Sequence, residues 1–380
     1  MMAAIRAAET LGGAGRVVLF DKNDRLGRKI YLTGKGRCNL TNRRPWEEFA
    51  THLYPDKGFL RFAFRAFSND ALIRFFEEEL GVPTVTLQGQ RVYPASLVAG
   101  DVARALERRV KELGVEVRYG ATVRSLAELD GFAAVIVATG GKSYPVTGST
   151  GDGYRFAEEA GHTVTTVFPS ETALLPHAYD PDLPGQEMKN VGLQLFVDRT
   201  PVQNEQGDFN FTDDGLESGI AYHLSRRAVW ALINGQRVDI VLDLKPALTE
   251  EQLINRLKRT EPLWLSSRSL RSFLPESLIA PFRRANPDLT MENLPKRLKN
   301  WTFRIDDYKG YDRAVVTAGG VSLKEIVPKT MESRLRPGLF FCGEVLDLDG
   351  DTGGYNLQIA FSTGALAGVS AARYLLPLSE

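Results

Sequence analysis

The sequence is poor in the residues that mark most specialised protein classes. Of 380 residues only two are cysteines, Cys38 and Cys342, and only four are histidines. Two thiols cannot build the disulfide framework of a small secreted domain, so a cytoplasmic setting is expected. No apolar run approaches the ~20 residues that a membrane helix needs, and no charged-then-apolar leader opens the chain, so no membrane partner is expected. Lysine plus arginine number 47 and aspartate plus glutamate also 47, which leaves no global field to gather nucleic acid. No His/Cys/Asp/Glu cluster stands at metal-ligand spacing. Asp347, Asp349 and Asp351 alternate as in a calcium loop, but the glutamate expected at loop position 12 is Gln358 and a strand, not a helix, precedes them. No metal is expected.

What is present begins with residues 16–44. An apolar run, Val17-Val18-Leu19-Phe20, ends on Asp21, and a loop follows with eight cations from Lys22 to Arg44 against the single acid Asp24. Within it, Gly27-Arg28-Lys29 and Thr33-Gly34-Lys35-Gly36-Arg37-Cys38-Asn39 mix glycine, hydroxyl and guanidinium. Such a mixture suits a backbone wrapped closely around an anionic ligand, whereas a merely solvated basic loop does not need the glycines. Residues 1–10 read as a helix of small residues broken by Gly-Gly-Ala-Gly. A small-residue helix leading into a strand that ends on an acid is the second half of a βαβ nucleotide-binding unit. The first strand and glycine-rich turn of that unit do not occur in this sequence, so Met1 is expected to lie inside the first helix of a longer reading frame.

Further on, residues 46–100 are mostly helical in pattern, with a hairpin at 82–94, and 96–113 is an amphipathic helix. The run 133–138 is a buried-type strand that exits into Thr139-Gly140-Gly141, as strands do where a sheet's carboxyl edge meets a ligand. Residues 147–154 place three glycines ahead of a helix. A proline-rich stretch suggests a domain boundary near Lys189, and 380 residues are long for one core. The expected division is a domain built from 1–188 and 329–380 around an insert, 189–328. The insert's β part covers about 189–245 and 301–328, and its helical part about 246–300. Within and beside it, His177 and His223 read as structural or surface residues. The last stretch returns to the opening style, with a strand, 338–342, ending on Gly343-Glu344. Gly353-Gly354 then precede Tyr355, Asn356, Leu357 and a helix with small residues on one face. A carboxylate there suits sugar hydroxyls, and free amides at the helix start suit an anionic oxygen.

Three separated motifs, GRKIYLTGKGRCNLTN, VATGGKSYPVTGSTGDGY and GLFFCGEVLDLDGDTGGYNLQIAFSTGALAG, resemble the BaiN/YhiN-type, aminoacetone-oxidase-like family of FAD-dependent oxidoreductases. TAGGVSLKEIVPKTMES resembles that family's segment upstream of the last motif. The resemblance spans essentially the whole chain. It implies an α/β fold with a three-layer, Rossmann-like FAD-binding domain formed by both chain ends, and an inserted α+β domain with a β-barrel-like part and a helical part. It implies that Asp21, with Lys22 beside it, holds the adenosine ribose, where the family more often has glutamate. Gly27, Arg28, Lys29, Thr33, Gly34, Gly36, Arg37, Cys38 and Asn39 would line pyrophosphate and flavin. Val123 would meet the adenine, and Thr139, Gly140 and Gly141 would pass the cofactor. Gly343 and Glu344 would sit at the ribityl chain, and Gly353, Gly354, Tyr355, Asn356 and Leu357 would set a helix N-terminus at the flavin's pyrimidine end. The insert departs from the family: Leu-Glu-Ser-Gly-Ile follows Phe211-Thr212-Asp213-Asp214-Gly215, where relatives have Ser-Gly-Pro.

The expected function is therefore a flavoprotein oxidoreductase. Non-covalent FAD would move a hydride between a small organic substrate and NAD(P)H or oxygen. No catalytic residue is assigned; Arg37, Tyr355 and Asn39 are the polar candidates for a proton donor. Cys38 and Cys342 lack the spacing of a redox pair and read as inert thiols rather than a catalytic dithiol. Two alternatives compete. One is a non-catalytic nucleotide- or RNA-binding protein using the basic loop with Tyr31 and Trp46 for stacking; the other is a chain inactive for want of the glycine turn.

Overall fold

A computed structural model describes residues 1–259 and 265–376. Residues 260–264 of the expected helical part therefore lie outside the described residues. The chain divides into two compact units, Met1–Phe168 with Val315–Glu380, and Pro169–Ala314. The seams fall at Pro169 and Ala314, whereas the sequence placed them at 189 and 328. A barrel strand, Leu174–Pro176, lies ahead of the boundary expected near Lys189, inside the proline-rich stretch itself.

In chain order, helix α1 (Met2–Leu11) buries Met2, Ala3, Ile5, Ala7 and Leu11. Gly12 ends it in the left-handed conformation, φ 53°, with its N–H on the Ala8 carbonyl, a geometry that costs a Cβ-bearing residue more. Strand β1 (Val18–Asp21) follows, then helix α2 (Ala99–Glu112) and strand β2 (Glu116–Tyr119). β1 and β2 pair in parallel with Val18 opposite Glu116 and Asp21 opposite Tyr119. Strand β3 (Val135–Val137) comes next.

The second unit is organised on a closed six-stranded barrel. Its strands are β4 (Leu174–Pro176), β5 (Glu187–Val197), β6 (Thr200–Thr212), β7 (Gly215–Glu217), β8 (Val238–Asp243) and β9 (Trp301–Tyr308), in the order β5-β6-β7-β4-β9-β8, all antiparallel. β5 and β6 are the longest of these, at 11 and 13 residues. Alternate side chains point inward: Leu193 and Leu195 from β5, Phe209 and Phe211 from β6, Ile240 and Leu242 from β8, and Trp301, Phe303 and Ile305 from β9, each no more than 8% exposed. Phe209 and Phe211 meet edge to face at 4.8 Å and Trp301 tilts on Phe303 at 5.1 Å. The barrel interior is thus a packed core. Helix α3 (Gly219–Ile233), capped by the Ser218 hydroxyl on the Ala221 N–H, belongs to this unit, as do shorter helices between Glu250 and Lys299.

Back in the first unit, strand β10 (Leu339–Phe341) pairs in parallel with β3, Leu339 opposite Val135. The chain closes on helix α4 (Tyr355–Leu375), whose 21 residues are buried on most faces. α4 and α1 touch through small residues: a Cβ on Gly368 would stand 2.2 Å from the Ala3 carbonyl oxygen. Glycine is needed there because the backbones are in contact. Among the described residues no helix is long and apolar enough to cross a membrane.

Candidate functional site

The first unit holds a cavity of about 500 Å³. β1 and β3 are each paired on one side only, with β2 and with β10, and both line this cavity along their length. Their residues explain its character, because both strands are apolar and end on polar groups, Asp21 and Thr139. Of the residues the sequence singled out, Asp21, Lys22, Gly27, Arg28, Lys29, Val123, Thr139 and Gly140 converge here. Asp21 Oδ1 accepts the Asn23 backbone N–H and side-chain amide, both at 2.9 Å, which turns the loop back on the strand. Asn23 then donates to the Thr147 carbonyl at 3.0 Å and accepts from Arg28 Nη1 at 2.9 Å. Lys22 Nζ reaches Thr150 Oγ1 at 2.5 Å and Asp152 Oδ2 at 2.6 Å. Two loops more than a hundred residues apart are stapled into one rim. Asn23, Ser149 and Asp152 line it too; Ser149 and Asp152 stand in the glycine-rich motif 147–154, whereas Asn23 was not singled out.

A half-buried ionic network lies beside Lys29 and Gly140 of this lining. Lys29 Nζ donates to Glu344 Oε2 at 2.6 Å and to Ser143 Oγ at 2.5 Å. Glu344 Oε1 accepts the Ser143 hydroxyl at 2.9 Å and the Thr317 N–H at 2.8 Å. Thr317 Oγ1 in turn accepts the Lys142 and Ser143 amides, at 2.8 and 3.0 Å. Burial opposes ionisation of Glu344, but Lys29 and the two donors outweigh it and hold its carboxyl below the ordinary 4.5. Gly141 lies against this network, since a Cβ there would come within 2.5 Å of Thr317 Oγ1. Ser143 and Thr317 fall inside motifs that carry the resemblance but were given no role there, whereas Lys29 and Glu344 were.

The remaining expected residues gather at the N-terminus of α4. Thr33 to Cys38 form an irregular turn, with Gly34, Lys35, Gly36 and Cys38 all at positive φ and the Cys38 N–H on the Thr33 carbonyl at 3.0 Å. Arg37 lies over the Tyr93 ring at 5.4 Å. Gly353 and Gly354 enter the helix at φ 131° and 99°, and a Cβ on Gly354 would stand 2.4 Å from the Thr41 carbonyl carbon and oxygen. Asn42 ties this start down by donating to the Gly353 carbonyl at 3.2 Å. Asn356 mimics backbone, accepting from and donating to Gly350 at 2.9 and 2.6 Å. Gly343 gives its N–H to Thr363 Oγ1 at 3.0 Å, and Leu357 packs into the apolar core. Asn39 Oδ1 and Thr41 Oγ1 are buried here without a partner among the described residues.

Two histidines that the sequence reading did not weigh complete the unit. His162 is buried, with Nδ1 on Glu325 at 3.2 Å and Nε2 on Ser333 at 2.7 Å, so both nitrogens are spent on structure. His52 stands at the start of α4, Nδ1 2.8 Å from Asp351 Oδ2 and its ring stacked on Tyr355 at 4.4 Å. Burial pushes the Tyr355 hydroxyl up to about 12 with help from Asp351, against Arg44 and Arg91. Burial likewise pushes both thiols up to about 12, so Cys38 and Cys342 are protonated, unreactive and separate.

This arrangement fits FAD. Asp21 Oδ2 has no partner among the described residues and suits a ribose hydroxyl, and the rim cations suit a diphosphate. Gly140, at φ 74°, leaves open a space that a Cβ would bring within 3.2 Å of Ser149 Oγ. The orphan acceptors Asn39 Oδ1 and Thr41 Oγ1 suit an imide N–H beside the α4 dipole.

A 3-dehydro-bile acid delta(4,6)-reductase of Clostridium scindens is 30% identical over 407 residues, covering 98% of this chain and 96% of that protein. A ribosomal RNA dihydrouridine synthase of Haemophilus influenzae is 29% identical over 401 residues, again covering 98% and 96%. Among solved structures, the open conformation of a flavocytochrome c3 fumarate reductase overlays 99% of this chain and 77% of its own, with a TM-score of 0.47 and 16% identity. Residues 1–370 match the HI0933-like protein Rossmann domain, and the chain belongs to that family of FAD-binding Rossmann flavoproteins.

Proposed function

We propose that this chain is a reductase that adds hydrogen across a carbon–carbon double bond conjugated with a carbonyl, using FAD reduced by NAD(P)H. The coarser statement follows from the family: it is a FAD-dependent oxidoreductase. The finer one is supported by what the two named relatives have in common. A delta(4,6)-reductase of a 3-dehydro-bile acid and a dihydrouridine synthase both saturate an alkene that a carbonyl polarises. When bound, FAD supplies the hydride. The chain's own part is to hold the cofactor between β1, β3 and α4 and to orient the substrate's carbonyl. It must also place a proton at the carbon the hydride does not reach.

The observation that carries this reading is the start of α4. Two left-handed glycines bring the helix N-terminus against Asn39 and Thr41, whose buried side-chain oxygens lack partners among the described residues. The positive end of a 21-residue helix favours negative charge on a reduced cofactor. With cations and anions balanced at 47 each, a small organic molecule is the preferred substrate and uridine in RNA the other arm of the test.

The test begins with an absorption spectrum of the purified protein with FAD. The loaded protein is then reduced anaerobically by NADPH and mixed with a 3-oxo-4,6-diene steroid acid or with uridine-containing ribosomal RNA. Reoxidation by one of them, with a saturated product, is the expected result. A flavin that binds and is reduced, yet is reoxidised by neither, sinks the alkene reading; absence of flavin bands sinks the oxidoreductase reading for this polypeptide.

A further inference from the structure

We propose that His52 is the acid that protonates the substrate carbon in this reduction, with Asp351 as the positioning residue that fixes its ring; the assignment rests on the reductase reading above. The four histidines of the chain differ in one respect that matters for proton transfer. His162 has both ring nitrogens bonded and its side chain fully enclosed. His177 and His223 belong to the barrel unit, paired with Asp306 and Glu205. His52 alone in the first unit has an anchored Nδ1 and, among the described residues, an unpartnered Nε2. Its side chain is 26% exposed, enough to meet a ligand, while that of Asp351 is only 13% exposed.

The ring is held on three sides. Asp351 Oδ2 lies 2.8 Å from Nδ1, and the Asp351 N–H returns to the His52 carbonyl at 3.0 Å. The residues beside them, Leu53-Tyr54 and Asp349-Gly350, form an antiparallel pair, so the two loops cannot drift apart without breaking a ladder. Tyr355, the first residue of α4, lies flat beneath the ring with 24° between the planes. Gly350 permits this closeness, because a Cβ there would stand 2.8 Å from Tyr355 Cβ. A carboxylate on Nδ1–H fixes the ring's orientation, so that in the protonated ring Nε2 is the nitrogen that gives up a proton. None of the three candidates from the sequence does this as well. Arg37 cannot deprotonate and is stacked on Tyr93, Asn39 presents an acceptor, and Tyr355 is the platform under the ring.

The step balances as follows. FAD, when bound, would supply the hydride for a C–H bond at the β carbon, and the π pair would move to the α carbon as an enolate. The Nε2–H bond of His52 breaks and its proton forms the second C–H bond. The alkene is reduced by two electrons and the cofactor oxidised, to be reduced again by the nicotinamide; His52 recovers its proton from water.

The experiment compares wild type, His52→Gln, Asp351→Asn and, as control, His177→Gln, all loaded with FAD, using whichever of the two probes the wild type reduces. Alkene reduction should slow by about 10²–10⁴-fold in His52→Gln, the usual worth of a placed acid. The wild-type rate should fall at high pH, and His52→Gln should lose that limb. Asp351→Asn should slow the reduction while keeping that limb; Tyr355 is the titratable group stacked on the ring, and Arg44 and Arg91 act on Tyr355. In deuterated water the wild-type product should carry deuterium at the α carbon. Independently of turnover, diethyl pyrocarbonate should modify His52 in folded wild type and spare His162, and the probe should protect it. If wild type reduces neither probe, the reductase reading falls and this assignment with it. If it reduces one and His52→Gln keeps both rate and pH limb, the assignment alone is overturned. Should His52→Gln fail to fold, inactivation of wild type that does not track modification of His52 overturns it equally.

Discussion

Replacing Glu344 with Gln tests the claim that a charge network, and not packing alone, ties Lys29, Ser143 and Thr317 together. Glu344 faces a cation, an amide and a hydroxyl within 2.9 Å, and the side chains of Lys29 and Glu344 are only 26% and 21% exposed. Glutamine can still accept from Thr317 and Ser143, but its NH₂ then confronts the Lys29 ammonium, donor against donor. Breaking a buried pair from one side costs about 3–5 kcal/mol, and the residual exposure here lowers that to about 2–4. In a unit of this size each kcal/mol moves the midpoint by roughly 2–4 °C, so a fall of roughly 4–16 °C is expected. The assay is thermal unfolding without added cofactor, followed by far-UV circular dichroism. The sign with pH follows from the depressed carboxyl. Its contribution is fully present above the ordinary 4.5 and is lost as pH falls through the lower folded value, so the gap between wild type and variant should close in acid. Adding Lys29→Met should restore part of the loss, because the stranded cation goes with it. A variant as stable as wild type at pH 7, or two losses that simply add, refutes the coupled network.

Gly354→Ala should cost roughly 2–5 kcal/mol, from left-handed strain plus a Cβ driven into Thr41. Gly36→Ala, with the same sign of φ but open space around it, should cost only about 1–2; equal losses in urea titrations would show that the close approach is not real. Both thiols should resist Ellman's reagent in the native protein at pH 8 and react on unfolding, since burial holds each near 12; rapid native labelling of either would contradict this. Asp21→Ala should weaken FAD binding by about 10- to 100-fold, the worth of a hydrogen bond to a charged acceptor, and an unchanged affinity in a flavin fluorescence titration would remove Asp21 from the site. In the barrel, Phe211→Ala should cost roughly 3–5 kcal/mol through the cavity it leaves among Phe209, Trp301 and Phe303, read by denaturant unfolding.

Local chemistry was legible in the sequence wherever one residue type answers to one backbone demand. Gly34, Gly36, Gly140, Gly353 and Gly354 do adopt positive φ, and the apolar run ending on Asp21 is a parallel strand. The small-residue helices 1–10 and 355–375 pack on each other because nothing larger would fit. The barrel's short first strand was less legible. Leu174–Pro176 is three residues long and ends on a proline, which by pattern alone is a turn, and only its pairing with β7 and β9 makes it a strand.

By itself, then, the sequence determined the α/β character, the two ends that form one unit, and the glycines, acids and cations available to a dinucleotide. Those depend on periodicity and on φ, which are local. Tertiary structure alone decided which of them meet. Lys29 and Glu344 are 315 positions apart and His52 and Asp351 are 299 apart, and no local rule couples such residues. Their pairing is set by the strands and helices between them, which is why a histidine that looks ordinary in the sequence stands at the start of α4 with one nitrogen free.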